Sequence, residues 1–268
     1  MTLPVVATFW QGRPLSWIEK LSLTSFVAMG HEVKIYSYGE VEGVPDGVSH
    51  ADAHSIFEPS EYLRENAGAS MIADVFRLHL MQITDEVWVD SDMIACKPLT
   101  LDGDGYALGY ERPGQSICNA VLRAPRQSPA IKMIVDFINN PHPKPRWLRP
   151  GLRAKLNGVP PEQILSRLYQ IKRSSMGPMA LGHALRETGE VSHVRPREAY
   201  FSVPWQFVDV FFNPYGGAEG WMSDDTEAVH LWAYALSGYH KTHKPHPESF
   251  IGAMVARHEV DVSHLKVQ

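Results

Sequence analysis

Two aspartates separated by one residue, Asp90-Ser91-Asp92, follow directly on the apolar run Val87-Trp88-Val89. Carboxylates spaced i, i+2 at the end of a buried strand both reach the carboxyl edge of a sheet, where α/β proteins bind ligands. Two hard oxygen donors there suit Mg²⁺ or Mn²⁺ shared with a phosphate. The plainer reading is an Asx turn that ends a strand. The apolar strand and the helical pattern upstream favour chemistry. That upstream pattern carries Asp74 and Arg77, which at i, i+3 share one helix face. The pair is either an intrahelical ion pair or a binder of sugar hydroxyls and phosphate. Arginine offers a planar fork of donors, and aspartate accepts from hydroxyls.

Other candidates are weaker. Asp102-Gly103-Asp104 has no strand before it and reads as a turn. Gly103, Gly105 and Gly109 lack the G-x-G-x-x-G spacing and no Walker A run exists, which excludes dinucleotide-binding and P-loop readings. His240, His243 and His246 could bind zinc, but Pro245 and Pro247 argue for an irregular loop and no cysteine or carboxylate stands close by. His79 reads as a core or surface residue and not a ligand, and Trp17 and Trp88 read as packing. Trp147 and Trp221 could stack on a sugar. Lys241 and Lys244 are either solvated or add positive charge near phosphates. Cys96 and Cys118 read as buried small residues.

The elements that must position these residues follow from periodicity. Residues 3–9 read as a buried strand. Pro14 suits the first turn of a helix that runs to Phe26, with Gly30 as its stop. Residues 33–36 alternate like a strand, which completes a βαβ unit. Residues 63–69 read as a turn, 70–83 as a strong helix and 87–89 as a strand. Further strands are expected at 106–110, 117–122 and 229–232, and helices at 130–138, 162–171 and 179–186. Between Asp136 and Glu162 no acidic residue occurs, whereas Lys144, Arg146, Arg149, Arg153 and Lys155 all fall there. With Pro141, Pro143, Pro145 and Pro150 this stretch reads as a stiff loop, not a helix. It is either a solvated connection or a basic flap for an anionic acceptor or a membrane surface.

The balance of 44% hydrophobic and 21% charged residues over 268 positions suits an α/β domain and excludes a disordered tail or a fibre. A net charge of −5 argues against nucleic acid as a partner. Two cysteines make no disulfide framework. No run is long enough to span a bilayer and no basic n-region opens the chain. The expected setting is cytoplasmic, with peripheral contact at the inner face of the membrane left open.

Taken in order, Ile72-Ala73-Asp74-Val75-Phe76-Arg77-Leu78, Val87-Trp88-Val89-Asp90-Ser91-Asp92-Met93 and Lys97-Pro98-Leu99 resemble the core signature of glycosyltransferase family 32. The clostridial glucosylating toxins and the family 8 galactosyltransferases share a similar layout. Thr8-Phe9-Trp10-Gln11-Gly12 is similar to the family's first strand. Asn119 with the apolar strand around it, Met176-Gly177-Pro178, and Val229-His230-Leu231-Trp232 resemble three later segments. The matches run from residue 5 to about 235. Thr84-Asp85-Glu86 stands where family members often carry glycines.

The resemblance implies a GT-A fold: a single Rossmann-like mixed sheet flanked by helices, one domain over residues 1–268. Residues 1–125 would form the nucleotide-sugar half. Residues 126–268 would form the acceptor half, with the basic loop 139–161 and a C-terminal metal-ligand segment. It implies a retaining transfer of a hexose, galactose or glucose, from a UDP-sugar to a saccharide or glycolipid acceptor, as in surface polysaccharide synthesis. By position, Trp10 would stack near the donor base, Asp74 and Arg77 would hold the donor sugar and diphosphate, Asp90 would contact the ribose, and Asn119 would face the sugar or acceptor. Asp90, Asp92 and His230 would hold Mn²⁺ or Mg²⁺. The cation would stabilise the departing diphosphate, and Lys244 could assist. A double displacement would need a carboxylate nucleophile; Asp224, Asp225 and Glu219 are unranked candidates, and same-face attack with the leaving phosphate as base is favoured. Two alternatives stand beside this reading. One is a non-catalytic nucleotide-sugar-binding module. The other is a metal-dependent nucleotidyltransferase or phosphohydrolase, against which the missing Lys- and Gly-rich N-terminal loop argues.

Overall fold

A computed structural model describes residues 2–140 and 144–267. The first strand is β1 (Val6–Phe9). Helix α1 (Trp17–Ala28) starts at a capping box. The Ser16 side chain accepts from the Ile18 N–H, and the Glu19 carboxylate accepts from the Ser16 N–H at 2.7 Å. These bonds satisfy N–H groups that the helix leaves open. They fix the start at Trp17, so Pro14 lies in the preceding loop and not, as expected, in the first turn.

Strands β2 (Val33–Ser37) and β3 (Val48–Asp52) follow. Helix α2 (Glu61–Asn66) occupies part of the stretch expected as a turn. Ser60 starts it by accepting from the Leu63 N–H. Next come α3 (Ala69–Ile83), β4 (Val87–Val89), β5 (Met93–Ala95), β6 (Ala107–Arg112), β7 (Ser116–Arg123) and α4 (Pro129–Ile138). In the basic segment, Pro141 and Pro143 lie outside the described residues. The remainder is not the helix-free loop expected. It contains α5 (Pro150–Arg153) and two 3-10 turns, Ala154–Leu156 and Pro161–Gln163. Pro150 and Pro161 sit at first helical positions, where the missing N–H would be unpaired anyway. The chain ends with α6 (Ile164–Ile171), α7 (Pro178–Thr188), β8 (Ala228–His230), α8 (Gly238–Thr242) and α9 (Phe250–Arg257). Strand β8 stops two residues short of expectation, because Trp232 has a left-handed backbone with φ 49°.

The main sheet has the order β3-β2-β1-β4-β7-β6. Its first four strands are parallel, and β7 pairs antiparallel with both β4 and β6. Strands β5 and β8 form a separate antiparallel pair, with Met93 opposite His230. Alternation along the central strands feeds two cores. Val6, Val87 and Val89 pack with α1, β5, β8 and α9, whereas Ala7, Phe9 and Trp88 pack with α3, α4, α6 and α7. Phe76 and Trp88 are almost wholly buried in the second core, and truncating either to alanine would cost roughly 3–5 kcal/mol. This mixed α/β sheet flanked by helices is the expected architecture, and it is consistent with a GT-A-like fold.

Candidate functional site

The site lies where the sheet changes direction. From β1 the chain winds outward through β2 and β3, then returns through α3 to place β4 on the other side of β1. A crevice opens beyond the carboxyl ends of two such strands. Trp10 leaves β1 there, and Asp90 leaves β4. The Trp10 N–H donates to Tyr36 O at 2.9 Å, and the Asp90 N–H to Ala120 O at 2.7 Å. The indole Nε1 of Trp10 donates to Arg13 O at 2.7 Å, and the Arg13 guanidinium lies 4.9 Å from the indole centroid. Arg13 also pairs with Glu19 at 2.9 Å, so the cap of α1 holds the Trp10 loop in place.

Arg77 organises the floor. Its Nη1 donates to Asp90 Oδ1 at 2.8 Å and to Asn119 O at 2.7 Å, and its Nε donates to Ala73 O. Its Nη2 stands 3.3 Å from Asp74 Oδ1, as the i, i+3 spacing foresaw. The guanidinium lies 4.4 Å from the Trp88 ring, whose Nε1 donates to the same Asp90 oxygen at 2.8 Å. Asn119 Nδ2 donates to Asp74 Oδ1 at 2.9 Å. Burial raises the Asp74 carboxyl above its ordinary value, against the opposing pull of Arg77 and the Asn119 hydrogen bond.

Asp92 is fixed from the other end of the chain. Its Oδ1 stands 3.1 Å from His230 Nε2, and its Oδ2 accepts from the Ala233 N–H at 2.8 Å. Its backbone carbonyl accepts from the Leu231 N–H at 3.0 Å. The left-handed turn at Trp232 brings the last N–H round to the carboxylate, a position that a bulky side chain rarely tolerates without reason. Burial would lower the His230 imidazole, but the Asp92 charge outweighs it and pushes the group up to about 10. The same pairing holds Asp92 below its ordinary value despite burial. His230 Nδ1 is buried with no hydrogen-bond partner.

Ligand atoms of Asp90, Asp92 and His230 all lie within 4.8 Å of one another. That set of two carboxylates and one imidazole could hold a divalent cation. Among the described residues His240, His243 and His246 form no comparable group. Two cavities meet at the cluster, sharing Ser70, Arg77, Asp90 and Asp92. The smaller, about 390 Å³, runs toward Trp10 and Arg13. The larger, about 600 Å³, runs toward Asp74, Asn119, Lys172 and Tyr234.

The charged and aromatic residues of the larger cavity that escaped sequence reasoning include Glu111, Lys172, Arg173 and Tyr234. They come from β6, from the turn after α6 and from the turn after Trp232. The tail of an amphipathic helix gave the only available signal for the two cations. Lys244 lines neither cavity; its backbone N–H donates to Lys266 O at 2.8 Å. The candidate nucleophiles Asp224, Asp225 and Glu219 line neither cavity; the Asp224 carbonyl accepts from the Lys97 ammonium. The carboxylates that line the larger cavity are Asp74, Asp90, Asp92 and Glu111. Trp221 packs on Phe207, and Trp147 packs on Phe137 at the edge of a neighbouring groove. The basic segment lines its own cavity around Lys144 and Arg153.

No protein-family model matches the chain. No curated protein matches it either. The solved structures that match include one titled PaToxG Glycosyltransferase. It is 15% identical, with 70% of this chain and 71% of that chain covered and a TM-score of 0.42. Among the described residues no helix is long and apolar enough to cross a membrane.

Proposed function

We propose that the chain is a metal-dependent glycosyltransferase of the family 32 type. It would move a hexose from a nucleoside diphosphate sugar, a UDP-sugar, to a saccharide or glycolipid acceptor with retention of configuration. One observation carries this reading. Two cavities meet at a carboxylate–histidine cluster on the carboxyl edge of a mixed α/β sheet. A donor needs that division, with its nucleotide on one side and its sugar on the other.

Each residue has a task in this reading. Trp10 and Arg13 border the nucleotide. Asp90, Asp92 and His230 hold Mn²⁺ or Mg²⁺. When bound, the cation supplies Lewis-acid stabilisation to the departing diphosphate. Arg77 is committed to four protein acceptors, so it positions Asp74, Asp90 and Asn119. Lys172 and Arg173 add positive charge beside the leaving group. Asp74 and Asn119 accept from and donate to the donor sugar's hydroxyls. The acceptor hydroxyl attacks from the same face, and its proton passes to the leaving phosphate.

The test is a panel of sugar nucleotides incubated with Mn²⁺ and scored for slow hydrolysis. Release of nucleoside diphosphate from one donor is the expected outcome. Release of pyrophosphate or monophosphate would point to nucleotidyl transfer or phosphohydrolysis. Tight nucleotide binding with no release from any donor would point to a binding module.

A further inference from the structure

Four aromatic rings run outward from the carboxylate cluster. His230 lies 3.9 Å from Trp232, Trp232 lies 6.3 Å from Tyr234, and Tyr234 lies 6.4 Å from Trp205. The inner two rings are buried and the outer two exposed. His230 and Trp232 are 6% and 5% exposed, whereas Trp205 and Tyr234 reach 42% and 68%. Trp232 is fixed by a bond from its Nε1 to Val203 O at 2.9 Å. Trp232 is therefore locked, whereas Tyr234 lines the larger cavity and Trp205 stands exposed beside it, outside the cavity wall.

The surroundings decide what could cover those rings. Glu111, Lys172, Arg173 and Ser174 share the cavity wall with Tyr234. An acyl chain or a membrane surface would have to bury these charges at a cost. A pyranose ring meets both demands. One face presents C–H groups that cover an aromatic ring, and its rim presents hydroxyls to the charged neighbours. Exposed aromatic rings beside charged donors and acceptors are thus matched to carbohydrate.

We propose that Tyr234 and Trp205 form a stacking platform for an oligosaccharide acceptor, which leaves the cavity over Tyr234 and continues onto Trp205. This rests on the glycosyltransferase reading. It narrows the acceptor class to a carbohydrate and places it on one side of the site.

The probes are lactose, maltotriose and mannobiose at millimolar concentration with Mg²⁺ and UDP, observed by saturation-transfer NMR. The expected result is transfer to ring C–H protons of at least one sugar. It falls at least fivefold in Tyr234→Ala and Trp205→Ala and survives in Tyr234→Phe. Phe207→Ala, which removes an exposed aromatic off the platform, leaves it unchanged. Melting curves confirm that each variant is folded, and Trp205→Ala carries the test if Tyr234→Ala is not. Absence of contact with every sugar in the wild type overturns the proposal, as does contact that persists in both alanine variants. Binding to phosphatidylcholine–phosphatidylglycerol vesicles that requires Trp205, without sugar contact, overturns it in favour of a membrane. UDP and Mg²⁺ binding is scored separately by thermal shift. Its absence defeats the donor reading, whereas its presence without sugar contact defeats the platform alone.

Discussion

Gly177 packs so closely on Asp74 that a β-carbon at Gly177 would fall 2.8 Å from Asp74 Oδ1 and 2.6 Å from Asn119 Nδ2. Neither contact is tolerable, and both atoms belong to a hydrogen-bonded pair that cannot swing aside. The start of α7 is thereby pressed against the floor of the site. Gly177→Ala should separate Asp74 from Asn119, destabilise the fold by about 1–3 kcal/mol, and lower donor hydrolysis at least tenfold. Gly220→Ala, where a β-carbon meets nothing within 4 Å, is the control. Urea melts and hydrolysis rates check both effects. Unchanged hydrolysis in Gly177→Ala would mean that the Asp74–Asn119 contact has no part in donor handling.

Arg77→Lys should fail although charge is retained. One ammonium cannot reach Asp90, the Asn119 carbonyl and Asp74 together, whereas the guanidinium fork does. With the floor left partly unpaired, the expected loss is about 3 kcal/mol, read as a lower urea midpoint at unchanged slope. A midpoint within error of the wild type would show that the network is not structural.

Much of this floor was legible in the sequence because its signals are local. The helix 70–83 and the strand 87–89 are each specified by their own apolar periodicity, and Asp74, Arg77 and Asp90 ride on them. Trp88 reads as packing and does pack, though its indole N–H also orients Asp90. Strand β3 gave no signal because Val48-Ser49-His50-Ala51-Asp52 is mostly polar and sits at the sheet edge. The β5–β8 pair was half visible. Residues 229–232 looked extended, but nothing local says that Met93 will face His230. Glu111, Lys172, Arg173 and Tyr234 converge from distant segments, and convergence is a tertiary property. The turn at Trp232 was hidden for another reason: tryptophan carries no propensity for positive φ, and the bonds that hold the turn, to Asp92 and to Val203 O, come from distant segments.

Glu190 should contribute to the acid limit of the fold. Burial alone would raise its carboxyl, but hydrogen bonds from Ser128, Thr188, Tyr106 and the Ala130 N–H outweigh burial and hold it below its ordinary value of 4.5. A depressed carboxyl contributes stability that is full above the unfolded value and is lost as pH falls through the folded one. Glu190→Gln should therefore cost roughly 1.5–3 kcal/mol at neutral pH. The gap to the wild type should narrow once pH drops below 4.5. Urea midpoints across pH 3 to 7, a range of about one unit or more either side of that value, give the comparison. A gap that stays constant with pH would assign the cost to packing and not to ionisation.

Asp92→Asn separates charge from shape at the cluster. The amide oxygen can still accept from the Ala233 N–H, so the turn that holds His230 and Trp232 keeps its anchor. What is lost is one negative ligand beside Asp90 and His230. Wild-type protein with Mn²⁺ and UDP at a hundredfold excess over Kd should gain about 2.7 kcal/mol of stability. The asparagine variant should gain a small fraction of that from the pair, while its ligand-free melting curve stays that of a folded protein. Asp92→Ala should do worse in the ligand-free state as well, because it leaves the Ala233 N–H and the buried His230 without their partner. If Asp92→Asn kept the full Mn²⁺-dependent gain, the cation would have to be held elsewhere, and the assignment of this cluster as a metal site would fall with it.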